Sequence, residues 1–301
     1  MIILSSLLIF VSSLLSVAFY TILERKFLSY IQLRKGPNKV GLMGILQPFS
    51  DAVKLFSKAI SFPETSNFSL SFLSPLLSLI LSVLIFMIIP FAFSGILDLN
   101  LSILSFFIIS SINVYIIILI GWSSNSKYSF LGSIRSVAQM ISYEVSLFLI
   151  ILSASILSSS FSLSNFWLFQ SIFPFFLFLL IPSSIWMISC VAETNRSPFD
   201  FAEGESELVS GFNIDYMGGL FAMIFLSEYL SMISLSFISV IIFISHLQSI
   251  SSLMIISLSI LFLWIRGTFP RFRYDLLMSL NWKIFLPTSI SFFLIPFSIS
   301  I

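Results

Sequence analysis

Thirteen carboxylates occur in this 301-residue chain, and six of them fall in one stretch, ETNRSPFDFAEGESELVSGFNID, from Glu193 to Asp215. Acids packed this densely in an apolar chain can hold protons, bind cations or attract a basic partner. Two more acids, Glu144 in ISYEV and Glu228 in SEYLS, lie about ten and twelve residues inside long apolar runs. An ionised carboxylate at such depth costs on the order of 3 kcal/mol or more unless it is paired or hydrated. Each has an adjacent tyrosine, Tyr143 and Tyr229, able to donate a hydrogen bond. A polar residue that merely glues helices together is the plainer reading. We favour stations on a proton or charge relay.

Within the acidic stretch, Ser197, Pro198 and Asp200 read as N-cap, first helical position and capping box, and Gly211 as the helix stop. On such a helix Asp200, Glu203 and Glu207 share a face and Glu205 points elsewhere. Like charges at that spacing repel by a few tenths of a kcal/mol in water and by more where water is scarce. Phe199, Phe201 and Phe212 are interleaved with the acids, which argues against a fully solvated loop. Basic residues gather earlier in the chain. Glu24, Arg25 and Lys26 end the first apolar run, and Arg34-Lys35 precede the Gly36-Pro37 turn signal. The segment Ile45–Ile60 then sets Phe49, Ala52, Val53 and Phe56 on one helical face, opposite Asp51, Lys54 and Lys58. It is too short and too charged to span a bilayer, so an interfacial amphipathic helix is expected.

The elements that must position these residues follow from composition. The chain is 58% hydrophobic and 9% charged, with a mean hydropathy of +1.10; a soluble domain carries about 25% charged residues. This is an integral membrane protein. Spanning-length apolar runs read at Ile2–Leu23, Phe68–Phe91, Leu101–Trp122, Ile134–Ser158, Phe166–Val191, Tyr216–Ile244, Ser252–Ile265 and Ile284–Ile301, giving about eight crossings. With that count all 14 Lys and Arg lie in loops or span edges on one side, and the other side keeps little beyond Asp98 and His246. Such one-sidedness obeys the positive-inside rule and puts both termini on the side opposite the cations.

Several chemistries are excluded. Cys190 is the only cysteine, so the chain cannot build a disulfide framework or a cysteine-ligated iron–sulfur cluster. Neither a dinucleotide fingerprint nor a P-loop is present, and His246 has no second metal ligand near it. The first run lacks a basic leader and a small-residue cleavage site, so no signal peptide is expected.

The runs ERKFLSYIQLRKGPN, QPFSDAVKLF, RSVAQMISYE from Arg135, AETNRSPFDFAEGESELVSGFN from Ala192 and LWIRGTFPRFRYDLLM from Leu263 carry a likeness. Together they resemble the subunit 1 family of mitochondrial NADH:ubiquinone oxidoreductase, respiratory complex I. The resemblance covers nearly the whole chain in order. Ser29 and Phe201 stand where relatives often carry Gly and Leu.

The resemblance implies an all-α polytopic membrane protein of about eight tilted transmembrane helices, with an interfacial amphipathic helix and short loop helices on the matrix side. Residues 1–301 would form a single transmembrane domain in the mitochondrial inner membrane, with both termini in the intermembrane space. Its first matrix loop would span residues 24–66 and its acidic matrix loop residues 192–215. A ubiquinone access tunnel is implied at Arg25, Arg34, Asp51, Arg196, Phe221, Phe225 and Arg273. A carboxylate relay is implied through Glu144, Glu193, Asp200, Glu203, Glu205, Glu207 and Glu228. The implied partners are other membrane subunits, lipids, and peripheral subunits that carry the terminal iron–sulfur cluster. FMN, NADH, iron–sulfur and metal sites are not expected on this chain. A related membrane-bound hydrogenase-type complex could use the same fold. A stand-alone secondary ion transporter would show two similar halves, and no repeat relates residues 1–150 to 151–301.

Overall fold

A computed structural model describes residues 2–90, 99–170, 173–202, 204, 210–244 and 248–300. Helices dominate: α1 Ile2–Ile31, α2 Gln47–Ser57, α3 Phe68–Ile88, α4 Ser102–Ser123, α5 Lys127–Ser158, α6 Leu163–Phe169, α7 Phe175–Phe178, α8 Leu180–Glu193, α9 Gly219–Phe243, α10 Gln248–Thr268, α11 Tyr274–Leu280 and α12 Leu286–Ser300. A π-helical turn, Asn281–Phe285, joins α11 to α12. No strand occurs among the described residues. Seven helices among them are long and apolar enough to cross a membrane, with α8 a shorter apolar helix.

The sequence is rich in serine, a residue that usually weakens helix interiors. Here the hydroxyls are satisfied within their own helices: Ser146 Oγ donates to the Tyr143 carbonyl at 2.9 Å and Ser153 Oγ to that of Ile150 at 2.6 Å. A hydroxyl bonded in this way is not left bare in an apolar medium, and the small side chains let helices approach. At Gly132 a β-carbon would stand 3.0 Å from the Phe212 nitrogen and 3.1 Å from the Ala202 oxygen. Only glycine lets α5 lie this close to the acidic segment.

Inter-element hydrogen bonds show which helix ends lie together. At one end the Asn67 amide donates to the Ser123 carbonyl at 2.9 Å, Asn125 Nδ2 to Thr65 O at 3.2 Å, and the Phe272 amide to Pro198 O at 3.1 Å. At the other, the Ile103 amide donates to Phe161 O at 3.2 Å and the Leu163 amide to Ser102 Oγ at 2.7 Å. The first end holds the connections that follow α1, α4, α8 and α10.

Several expected boundaries shift. The α1 helix continues past Leu23 and keeps Glu24, Arg25 and Lys26 on the helix rather than in the loop. Thirty residues make about 45 Å of helix, longer than the roughly 30 Å hydrocarbon layer, so its basic end can project into the headgroups. Similarly, α5 starts at Lys127 rather than Ile134, and the last span starts at Tyr274 rather than Ile284. Lys283 therefore sits within that span, not at its edge. Its side chain leans toward the helix N-terminus, that is, toward the basic end.

The fifth run is not one helix but three, α6 to α8. Pro174 caps α7, and Pro182 in the first turn of α8 has no amide to give the Phe178 carbonyl, next to the break at Leu179. It still carries the chain from one end to the other. Among the described residues, seven helices of spanning length and this broken run make up the membrane-type elements.

Candidate functional site

The helix expected over Ser197–Gly211 does not form across its described first turns. The Pro198 carbonyl, which a helix would use four residues on, accepts instead from the Phe272 amide. Residues 197–202 are turns and bends with no helix, the Phe199 amide bonding Arg196 O at 2.9 Å. Asp200 is half-buried there. Glu203, Glu205, Glu207, Asp98 and His246 lie outside the described residues.

Glu144, Glu193 and Glu228 occupy the space between α3, α4, α5, α8 and α9. Glu193, Asn195 and Glu228 line a cavity of about 40 Å³ together with Ser78, Asn113 and Ser231. That is room for a water with several polar partners. Within it Glu193 Oε2 and Asn195 Oδ1 are buried acceptors with no hydrogen bond of their own. Glu193 also closes α8, at the negative end of the helix dipole, where an anion is least welcome. Glu144 lies on α5 with Ser110 Oγ of α4 at 3.5 Å from its Oε1.

Neither tyrosine serves the acid beside it. Tyr143 donates to the Leu277 carbonyl at 3.1 Å, and Tyr229 to Glu24 Oε2 at 2.6 Å. Successive helical residues project about 100° apart, so a phenol cannot face its neighbour's carboxyl.

Glu228 is paired with Arg196, NH2 to Oε2 at 3.1 Å. The Arg196 guanidinium also stacks over the Tyr229 ring, 4.6 Å from its centroid, and over Phe225 at 5.7 Å. Tyr229 then reaches Glu24, which is 4% exposed and ion-paired with Arg266 of α10. A continuous polar path thus runs from the Glu193 cavity through Glu228, Arg196, Tyr229 and Glu24 to Arg266. Glu24 and Arg266 were not expected in the site. Their signal was an acid next to the Arg25-Lys26 pair and a lone arginine in the last turn of an apolar run.

A second, wider groove of about 300 Å³ lies between α1, α2 and α9. Arg25, Asp51, Phe221 and Phe225 all line it, along with Thr21 and Tyr229. Arg25 NH1 meets Asp51 Oδ2 at 2.8 Å and Gln47 Nε2 meets Asp51 Oδ1 at 3.0 Å. The pair is 55% and 35% exposed, so it contributes at most about 1 kcal/mol and serves to fix α2 against α1. The Phe221 and Phe225 rings sit 4.3 Å apart, tilted by 53°, and make an apolar wall. Arg34 is exposed in the turn after α1, and Arg273 is 80% exposed beside Asp275; neither lines the groove. Arg196, Phe225 and Tyr229 form the partition between the groove and the acid cavity. Among the described residues no cluster of three or more His, Cys, Asp or Glu could hold a metal ion, and Cys190 is buried.

A family model described as NADH dehydrogenase matches residues 4–297. The chain is 52% identical over 289 residues to a protein of Aedes aegypti named NADH-ubiquinone oxidoreductase chain 1, covering 95% of this chain and 92% of the relative. A protein of the same name from Artemia franciscana is 52% identical over 288 residues, covering 95% of each chain. The Branchiostoma lanceolatum protein of that name is 49% identical over 292 residues, covering 96% and 93%.

Proposed function

This chain belongs to the NADH dehydrogenase family, and on that premise we propose that it couples ubiquinone reduction to proton movement. It does so as the chain 1-type core membrane subunit of the oxidoreductase complex. The complex lies in the mitochondrial inner membrane, with the basic end of this subunit in the matrix and both termini in the intermembrane space. Other membrane subunits flank it, and peripheral subunits carry the terminal iron–sulfur cluster that supplies electrons.

The groove between α1, α2 and α9 receives ubiquinone. Its apolar Phe221 and Phe225 wall suits an isoprenoid tail, and Arg25 at its basic end suits a polar headgroup or an anionic intermediate. Reduction of a quinone takes two electrons and two protons, so the headgroup region changes charge during turnover. The observation that carries the proposal is the shared partition. Arg196 touches the groove through Phe225 and Tyr229 and touches the acid cavity through Glu228. A negative charge arising on the groove side competes with Glu228 for the same guanidinium. When Arg196 leans toward the groove, Glu228 loses its counter-charge and takes a proton from the hydrated cavity. Glu193 and Glu144 then adjust in turn, and the acids of the 192–215 segment extend the relay.

The test is Glu144→Gln and Glu228→Gln in the assembled complex. Quinone-coupled proton pumping should fall at least tenfold, while NADH oxidation by an artificial hydrophilic acceptor stays intact. Equal loss of both activities would mean failed assembly and no specific relay role.

A further inference from the structure

The α1 helix divides two grooves. On its opposite face Phe19, Ile22, Lys26, Phe27 and Tyr30 form a stripe at helical spacing. That stripe faces Ile260 of α10 and Ile45 of the segment before α2 across a cavity of about 380 Å³. The walls are held by this chain alone: Tyr20 donates to the Ser259 carbonyl at 2.9 Å, and Glu24 pairs with Arg266. The groove also opens away from the bundle, with Phe19 48%, Tyr30 65% and Ile45 47% exposed.

The neighbouring cations differ in how they are compensated. Arg25 has Asp51 at 2.8 Å. Lys26 Nζ donates to the Met43 carbonyl at 2.7 Å, a neutral partner, and makes no ion pair with a described carboxylate. An uncompensated ammonium thus stands at the mouth of an apolar slot. Its depth fits a headgroup, because α1 is longer than the hydrocarbon layer and its basic end projects. The lysine stem can lie along the apolar wall while the charge reaches the interface. Tyr30 belongs at the same level, where amphipathic rings gather.

We propose that this groove binds an anionic phospholipid, its phosphate on Lys26 and one acyl chain along Phe19 and Ile22 toward Ile260. Lysine binds phosphate as a point charge, so recognition is by charge rather than by headgroup shape. The site lies on the other side of α1 from the quinone groove and stands whether or not that reading holds.

The purified assembly is reconstituted in phosphatidylcholine vesicles doped with photoreactive phosphatidylglycerol, and in parallel with photoreactive phosphatidylcholine. The anionic probe should label the Phe19–Tyr30 and Ile45 regions in preference to the zwitterionic one. Lys26→Gln should lower that preferential labelling about fivefold, the effect of removing one interfacial charge. Ile260→Trp fills the floor of the groove and should abolish labelling there with the charge intact. Equal labelling by the two probes overturns the proposal, as does unchanged labelling in either variant, or cross-linking of these positions to a protein instead of lipid. If Lys26→Gln fails to assemble, the two-probe comparison and Ile260→Trp decide the matter.

Discussion

Replacing Arg196 with methionine keeps an apolar stem and removes the charged guanidinium. Arg196 and Glu228 are 8% and 17% exposed as side chains, so the substitution removes the counter-charge of a nearly buried carboxylate. Breaking one side of a buried pair costs about 3–5 kcal/mol. The cavity beside Glu228 can hold water, which places the expected cost at the lower end, about 3 kcal/mol. The stacking over Tyr229 and Phe225 is made by the guanidinium carbon, so it goes with the charge, and loss of that cation–π attraction adds about 0.5–2 kcal/mol. The double variant Arg196→Met/Glu228→Met removes the stranded charge and should recover most of the loss, giving a coupling energy of about 2–3 kcal/mol. The assay is the half-life of quinone reductase activity at a fixed raised temperature in one detergent. A barrier lowered by 3 kcal/mol shortens that half-life about a hundredfold. The exposed pair Arg273–Asp275, 80% and 74% exposed, is the control, and its neutralisation should leave the half-life almost unchanged. A double variant as unstable as the two single changes combined would refute the claim that these residues compensate each other.

Thr21→Trp projects a large ring into the groove between α1, α2 and α9. It should raise KM at least fivefold for a long-tailed ubiquinone and leave a short-tailed analogue little affected, as steady-state kinetics with both substrates would show. Gly132→Ala places a β-carbon against the Phe212 nitrogen and Ala202 oxygen. Backbone atoms yield less readily than side chains, so the cost is about 1–3 kcal/mol, read as faster proteolysis of the 202–212 segment in the assembled complex.

Much of the architecture was legible because apolar length is written directly in composition. The one-sided distribution of Lys and Arg anticipated which ends lie together, and the spacing from Ile45 to Ile60 anticipated α2. What escaped were features set by tertiary partners. Nothing local says that Tyr229 bonds Glu24, 205 positions away in sequence, rather than the adjacent Glu228. The Ser197-Pro198 capping pattern is a sound local signal, but Phe272 takes the carbonyl the helix would need. Glu24 read as part of an anchoring basic cluster because its partner, Arg266, is brought near only by the packing of α10 on α1. Arg25, Asp51, Phe221 and Phe225 come from three helices, and only the fold shows that they line one groove. The proline break in the fifth run was present in the letters, yet its mean hydropathy concealed it.

That broken run bears on the order in which the chain enters a bilayer. A 14-residue α8 is about 21 Å long, too short to cross roughly 30 Å of hydrocarbon alone. The non-helical backbone before it must be sheltered by protein. Gln170, wholly buried at the start of this stretch, donates to the carbonyls of Ile241 and Ile242 at 3.1 and 2.7 Å, which are synthesised about seventy residues later. The fifth traverse therefore cannot complete its hydrogen bonding until the sixth has arrived. The two are best regarded as one insertion unit.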